Sequence, residues 1–275
     1  MKFRKISRWY NKNISRSHNS IVLGSTCSFV KEDSAVVKNS DLKINGTSSL
    51  RVSSGAFINN VRFQLDGNSH IEIKSGAHLE NSDICVWNNS LLQIGSGCII
   101  DGTRFVIERG HVTIGSDNRF SEGMKITVSD GILEVKDHNV LSNTIWVRFG
   151  GALKIDSYNC INNGSELRAD EYVCIGSYNM ISYYCDIWDT NTHSEYSLEE
   201  KSEMFRKSYP YIGFEKNKPK TKPVIIGDGN WFGKYSCVLK GSIIGNDVTV
   251  GTRTVVSNLE IGDGHKIVSS KSVVL

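Results

Sequence analysis

Aliphatic residues recur every six positions along most of this chain, a period that belongs to neither an α-helix nor an exposed strand. Ile226, Phe232, Val238, Ile244, Val250 and Val256 follow one another at six-residue steps, and Gly227, Gly233, Gly245 and Gly251 come directly after four of them. A helix repeats every ~3.6 residues and a half-buried strand every ~2. Six suits a short strand and a sharp corner, three to a triangular coil, with successive coils paired at a strand spacing of about 4.8 Å. The inward aliphatic column is then the core, and strand edges stay open only at the two ends.

The same pattern runs upstream in a looser form. Leu50-Arg51-Val52-Ser53, Ile71-Glu72-Ile73-Lys74 and Leu92-Gln93-Ile94-Gly95 match one another, as do the tetrads ending at Gly115, Lys136, Asp156 and Gly176. Their second apolar residues stand at 52, 73, 94, 114, 135, 155 and 175, so the coil here is 20–21 residues long. The surplus over 18 falls on turn-formers such as Asp66-Gly67-Asn68, Asn88-Asn89-Ser90 and Gly150-Gly151. These tolerate positive φ, which predicts protruding corners stacked along one edge. Past Val256 the repeat slips by one residue and continues through Ile261, Ile267 and Val273. The reading is a solenoid over residues 21–275 preceded by a basic arm at 1–20.

Composition excludes several classes. The chain has 32 basic and 29 acidic residues, a net charge of +3, too even a balance for a nucleic-acid partner. No run of 18 apolar residues could span a membrane, and the N-terminus lacks the apolar core of a secretion signal. The seven cysteines are scattered without a Cys-x-x-Cys pair, which reads as reduced thiols of a cytoplasmic protein. Proline occurs only at 210, 219 and 223, so that stretch is predicted to lie outside the ladder.

The ladder stops after Ile187 and restarts at Val224, leaving an inserted loop at 188–223. Within it, Ser197 and Glu200 have the spacing of a capping box and predict a short helix. A long excursion from a rigid scaffold is usually functional.

The aliphatic-Gly hexapeptide resembles that of the hexapeptide-repeat acyltransferase superfamily. The resemblance implies an all-β fold, a left-handed parallel β-helix with one inserted catalytic loop; a right-handed solenoid of the pectinase kind has longer, less regular coils. Asp189-Thr190-Asn191-Thr192-His193, followed by Ile226-Gly227-Asp228-Gly229-Asn230-Trp231-Phe232-Gly233, is similar to the loop and coil of the maltose/galactoside and bacterial polysaccharide O-acetyltransferases. That implies His193 as general base, with Trp231, Trp188 and Asn191 lining the acceptor site. An imidazole, titrating near about 6.5, is suited to taking a hydroxyl proton at neutral pH. Its second nitrogen needs an acceptor; Asp189, Glu195 or a backbone carbonyl would serve. Amides of the glycine-rich coil are expected to receive the oxyanion.

The same resemblance implies acetyl-CoA as acyl donor, no metal, and a homotrimer with sites between subunits. The pantetheine arm would run along the C-terminal coils past Gly233, Gly251, Thr252, Thr254 and Ser257. Arg253 and Asn258 depart from the family pattern, which leaves Lys234, Arg253, Lys266 or Lys271 to anchor the phosphates. The implied acceptor is a sugar hydroxyl of a capsule or O-antigen glycan. An N-acyltransferase on an amino-sugar nucleotide and a non-enzymatic scaffold stay open. Lys2, Arg4, Lys5 and Arg8 with Phe3, Ile6 and Tyr10 suit either a cap over the first coil or weak contact with an anionic membrane at its inner face.

Overall fold

A computed structural model describes residues 19–213, 215 and 217–269. The basic arm before Asn19, and the candidate Lys271, lie outside the described residues. The chain is a parallel β-solenoid of about 12 turns with one helix among the described residues. In a representative coil, Asp83–Trp87 forms the first face, Leu91–Ile94 the second and Ile99–Asp101 the third. Arg104–Ile114 then returns over the first face and runs round the corner into the second.

The register is the one the period predicts. Ile84 pairs with Phe105, Leu92 with Val112 and Ile100 with Phe120. Beyond the loop the offset tightens to 18: Ile226 pairs with Ile244, Phe232 with Val250 and Val238 with Val256. The inward column is sealed, with Phe63, Phe105, Phe232, Ile145 and Leu167 at 0% exposure. Each such side chain contributes about 1.5–3 kcal/mol through burial.

One corner is held from inside by a ladder of buried asparagines. Asn139 donates its backbone N–H to Asn118 Oδ1 (2.9 Å), Asn159 to Asn139 (2.8 Å), Asn179 to Asn159 (2.9 Å) and Asn230 to Asn179 (2.9 Å). Val248 closes it by donating to Asn230 Oδ1 at 2.7 Å. The step from Asn179 to Asn230 crosses the insertion, so the solenoid closes beneath the loop as though it were absent. Ile175–Ile226, Met180–Trp231 and Ile187–Val238 are paired across the same gap.

The glycines after the aliphatic residues serve this stacking, not anion binding. The amides of Gly227, Gly233, Gly245 and Gly251 all donate to carbonyls of the next coil. They are therefore not free to receive an oxyanion, which corrects that expectation. A Cβ on Gly233 would stand 2.5 Å from the Thr252 amide nitrogen, and one on Gly227 would stand 2.7 Å from the Gly245 carbonyl. Close approach of coils is what excludes a side chain there.

All seven cysteines are free. Burial, reinforced by the Asp83 charge, pushes the Cys85 thiol up to about 12, so it is an inert packing residue.

Candidate active site

The inserted loop leaves the corner between the first and second faces on a short antiparallel stem. Thr190 bridges Thr221, Asn191 donates to the Lys220 carbonyl (3.1 Å) and Lys222 donates to that of Asp189 (2.9 Å). The predicted helix is present at Leu198–Ser208, with Ser197 and Glu200 forming the reciprocal capping box. No residue of the helix is buried on this chain, and Leu198 is 82% exposed.

Asp189 roots the stem and does not reach His193. Its buried carboxylate accepts the backbone N–H groups of Asp170 (2.8 Å), Glu171 (2.7 Å) and Tyr172 (2.6 Å). Burial raises its carboxyl above the usual range; the three amides oppose that shift, and the Asp170 charge adds to it. Asp170 is itself buried in a two-point pair with Arg148, at 2.9 and 2.7 Å. Asp189 is therefore a structural acceptor at the loop root, which corrects its assignment as a candidate partner of the histidine.

The carboxylate that faces His193 is Glu215, from the far side of the loop. His193 Nδ1 lies 3.6 Å from Glu215 Oε2; the histidine side chain is 58% exposed and the glutamate side chain 2%. Glu215 is fixed by the Tyr196 hydroxyl (2.6 Å) and the Ser194 amide (2.9 Å). Burial alone would raise its carboxyl, but Tyr196, the Ser194 and Asn217 amides and His193 together hold it below the usual range. With Nδ1 turned to a carboxylate, Nε2 is the nitrogen left for a substrate. Glu195 instead lies 3.8 Å from Lys220 at the surface.

The depressed carboxyl fixes a sign. Its contribution to loop stability is present above the ordinary glutamate range and is lost as pH falls through the lower folded value. Glu215→Gln keeps the size of the side chain but sets an amide, which can also donate, beside Nδ1, so the ring is held less firmly. Acetyl transfer is expected to fall about tenfold in a steady-state assay. An unchanged rate would remove Glu215 from the mechanism.

The other candidates are dispersed. Trp188 lies half-buried on the first face over Arg168, at 5.3 Å from ring centroid to guanidinium carbon. Its Nε1 is buried with no hydrogen-bond partner among the described residues. Asn191 is exposed on the stem. Trp231 points outward as predicted, 50% exposed, between Met180 and Thr249 on the third face. That face lies across the triangular section from the corner that carries the loop. No hydrogen bond or ion pair among the described residues joins His193 to it.

At the corner between the third and first faces, Tyr184 and Tyr235 stack with centroids 5.2 Å apart. Lys234 Nζ lies 5.0 Å from the Tyr235 centroid and the Arg253 guanidinium 5.7 Å from it. Thr252, Arg253 and Ser257 are exposed nearby. Thr254 is turned inward, 3% exposed, with its hydroxyl accepting the Ser269 amide at 3.0 Å, so it presents no group to a ligand. Gly233 and Gly251 lie in this corner with their amides committed to the ladder.

No protein-family model and no curated protein matches the chain. Among solved structures it is similar to the polysialic acid O-acetyltransferase OatWY, at 22% identity over 73% of this chain and 80% of that one, with a TM-score of 0.43. The polySia-specific acetyltransferase NeuO gives 16% identity over 74% and 79% of the two chains, with a TM-score of 0.44. A UDP-N-acetylglucosamine acyltransferase of Francisella novicida gives 15% over 84% and 67%, with a TM-score of 0.30. At such scores the reading of function rests on the residues themselves.

Proposed function

We propose that the chain is an acetyl-CoA-dependent O-acetyltransferase acting on a sugar hydroxyl of a bacterial surface polysaccharide. The observation that supports it most is an exposed histidine backed by a buried carboxylate, carried on the long excursion from a solenoid that closes beneath it. A scaffold has no use for such a pair. In the proposed reaction His193 Nε2 takes the acceptor hydroxyl proton as that oxygen attacks the thioester carbonyl carbon. The tetrahedral intermediate collapses with loss of the coenzyme A thiolate, which recovers the proton from the imidazolium. Glu215 holds the ring and balances its transient charge.

The working unit in this reading is a left-handed homotrimer. A loop at one corner and Trp231 on the opposite face meet only if neighbouring chains lie side by side, so that the loop of one covers the third face of the next. Both surfaces have apolar groups left over: Leu198, Phe205 and Tyr209 on the loop, Met180 and Trp231 on the face. The Tyr184–Tyr235 corner, with Lys234 and Arg253, would take the adenine and phosphates of the donor, and Thr252 and Ser257 would flank its arm. Among the described residues no helix is long and apolar enough to cross a membrane. A cytoplasmic site beside the membrane, where such glycans are assembled, fits this chemistry.

Incubation with acetyl-CoA and oligosialic acid or maltotriose, in the presence of a thiol reagent, is expected to release coenzyme A and add one acetyl ester to the acceptor by mass. Thiol release only when an amino-sugar nucleotide replaces these acceptors, with an amide product, would favour the N-acyltransferase, and no release above buffer with any of them would end the reading.

A further inference from the structure

The corner between the second and third faces carries an aromatic column that the chemistry above does not use. His138, Tyr158 and Tyr178 stand at equivalent positions on successive coils, with left-handed φ of 60°, 62° and 62°. Their amides donate to Ser116, Asp137 and Ser157 carbonyls in the same rung-to-rung pattern. The rings stack with centroids 4.7 Å apart for His138–Tyr158 and 5.2 Å apart, at 8°, for Tyr158–Tyr178. A residue with a Cβ costs roughly 1–2 kcal/mol in this backbone region, which ordinarily selects Gly, Asn or Asp. Exposed tyrosines there are an unfavourable choice for structure alone.

The column stops at a missing rung. The next position is Gly229, whose amide donates to the Ser177 carbonyl at 2.9 Å, and the one after it is Asp247, whose amide donates to that of Asp228 at 2.9 Å. A Cβ placed on Gly229 meets only the Asp247 amide nitrogen, at 3.9 Å. Between Tyr178 and Asp247 there is thus a slot two coil spacings deep, roughly 9–10 Å. Its floor is the open face of Tyr178, which is 62% exposed. Its roof is the Asp247 carboxylate, exposed and without a hydrogen bond or ion pair among the described residues. Trp231 lies two residues further along the same coil.

We propose that Tyr178, Gly229 and Asp247 form a subsite for one pyranose ring of the acceptor glycan. A pyranose presents axial C–H bonds to an aromatic face and vicinal hydroxyls to a carboxylate, and the slot offers these two surfaces one ring apart. Naming the sugar an acceptor rests on the acetyltransferase reading; the binding itself does not.

The test is saturation-transfer NMR and titration with maltotriose and with oligosialic acid, neutral and anionic arms, in the absence of acetyl donor. At least one binds the wild-type chain. Gly229→Tyr adds the missing rung, and the tyrosines at 158 and 178 show that this backbone position accepts that side chain. Tyr178→Ala removes the floor, with its melting temperature as a fold check. Each variant is expected to weaken binding about tenfold or more. Binding of neither sugar overturns the subsite. So does binding unchanged in both variants, or a Gly229→Tyr effect confined to oligomeric mass or acetyl-CoA affinity. With no donor present, a preparation that binds the sugar but does not transfer acetyl fails the enzymatic reading alone.

Discussion

His193→Ala is expected to lower acetyl transfer by about two to four orders of magnitude while leaving the melting temperature unchanged. The side chain is 58% exposed and fills no cavity, so its removal costs the fold little. The proposed arrangement adds a sharper test. His193 and Trp231 lie on opposite sides of one chain, so in the proposed trimer each site would take the histidine from one copy and the tryptophan from the next. His193→Ala and Trp231→Ala homotrimers should both be impaired. Unfolded together in equal amounts and reassembled, they should recover activity at about a quarter of the sites, those pairing an intact loop with an intact face. Mixing without recovery would mean that both residues act within one chain, and a Trp231→Ala homotrimer with full activity would mean that Trp231 has no part. Recovery would be hard to explain for a monomeric site.

The six-residue period made the solenoid legible because inward burial acts on every coil alike. Ile226 to Val256 could be placed in register from sequence, and so could Trp231, since an outward side chain follows from the inward Phe232 beside it. The loop has no period, and there reasoning by motif ran short. Glu215 comes 22 residues after His193 and reaches it only because the chain doubles back. The available signal was that Glu215 is the lone acid between Glu203 and Asp228, in a stretch rich in lysine. The glycines were legible as positions but not as roles, because a Gly amide looks free until the next coil is laid over it. The aromatic column was announced by the recurring Ser-Tyr-Asn at 157–159 and 177–179. That repeat places a ring outside and an asparagine inside the same corner.

Asp189→Ala is expected to be the most destabilising single change in the loop, on the order of 2–4 kcal/mol, because it leaves one buried and two part-buried amides without an acceptor. The cause lies in the excursion itself. Elsewhere a corner amide finds its carbonyl on the coil above; Ala152, for example, donates to Glu171. Above Asp170, Glu171 and Tyr172 the chain departs into the loop, and the Asp189 carboxylate takes the place of those carbonyls. Asp189→Asn should cost less than alanine, since it keeps one acceptor and removes a charge that burial disfavours, but its amide group would face donors at Glu171 and Tyr172. A urea melt of the two variants should therefore rank wild type above Asn and Asn above Ala. Residual transfer should follow the folded fraction, because the Glu215 pair that orients His193 does not include Asp189. If Asp189→Ala melted with the wild type and yet abolished transfer, the aspartate would belong to the chemistry, and Glu215 would have to give up the role of orienting carboxylate.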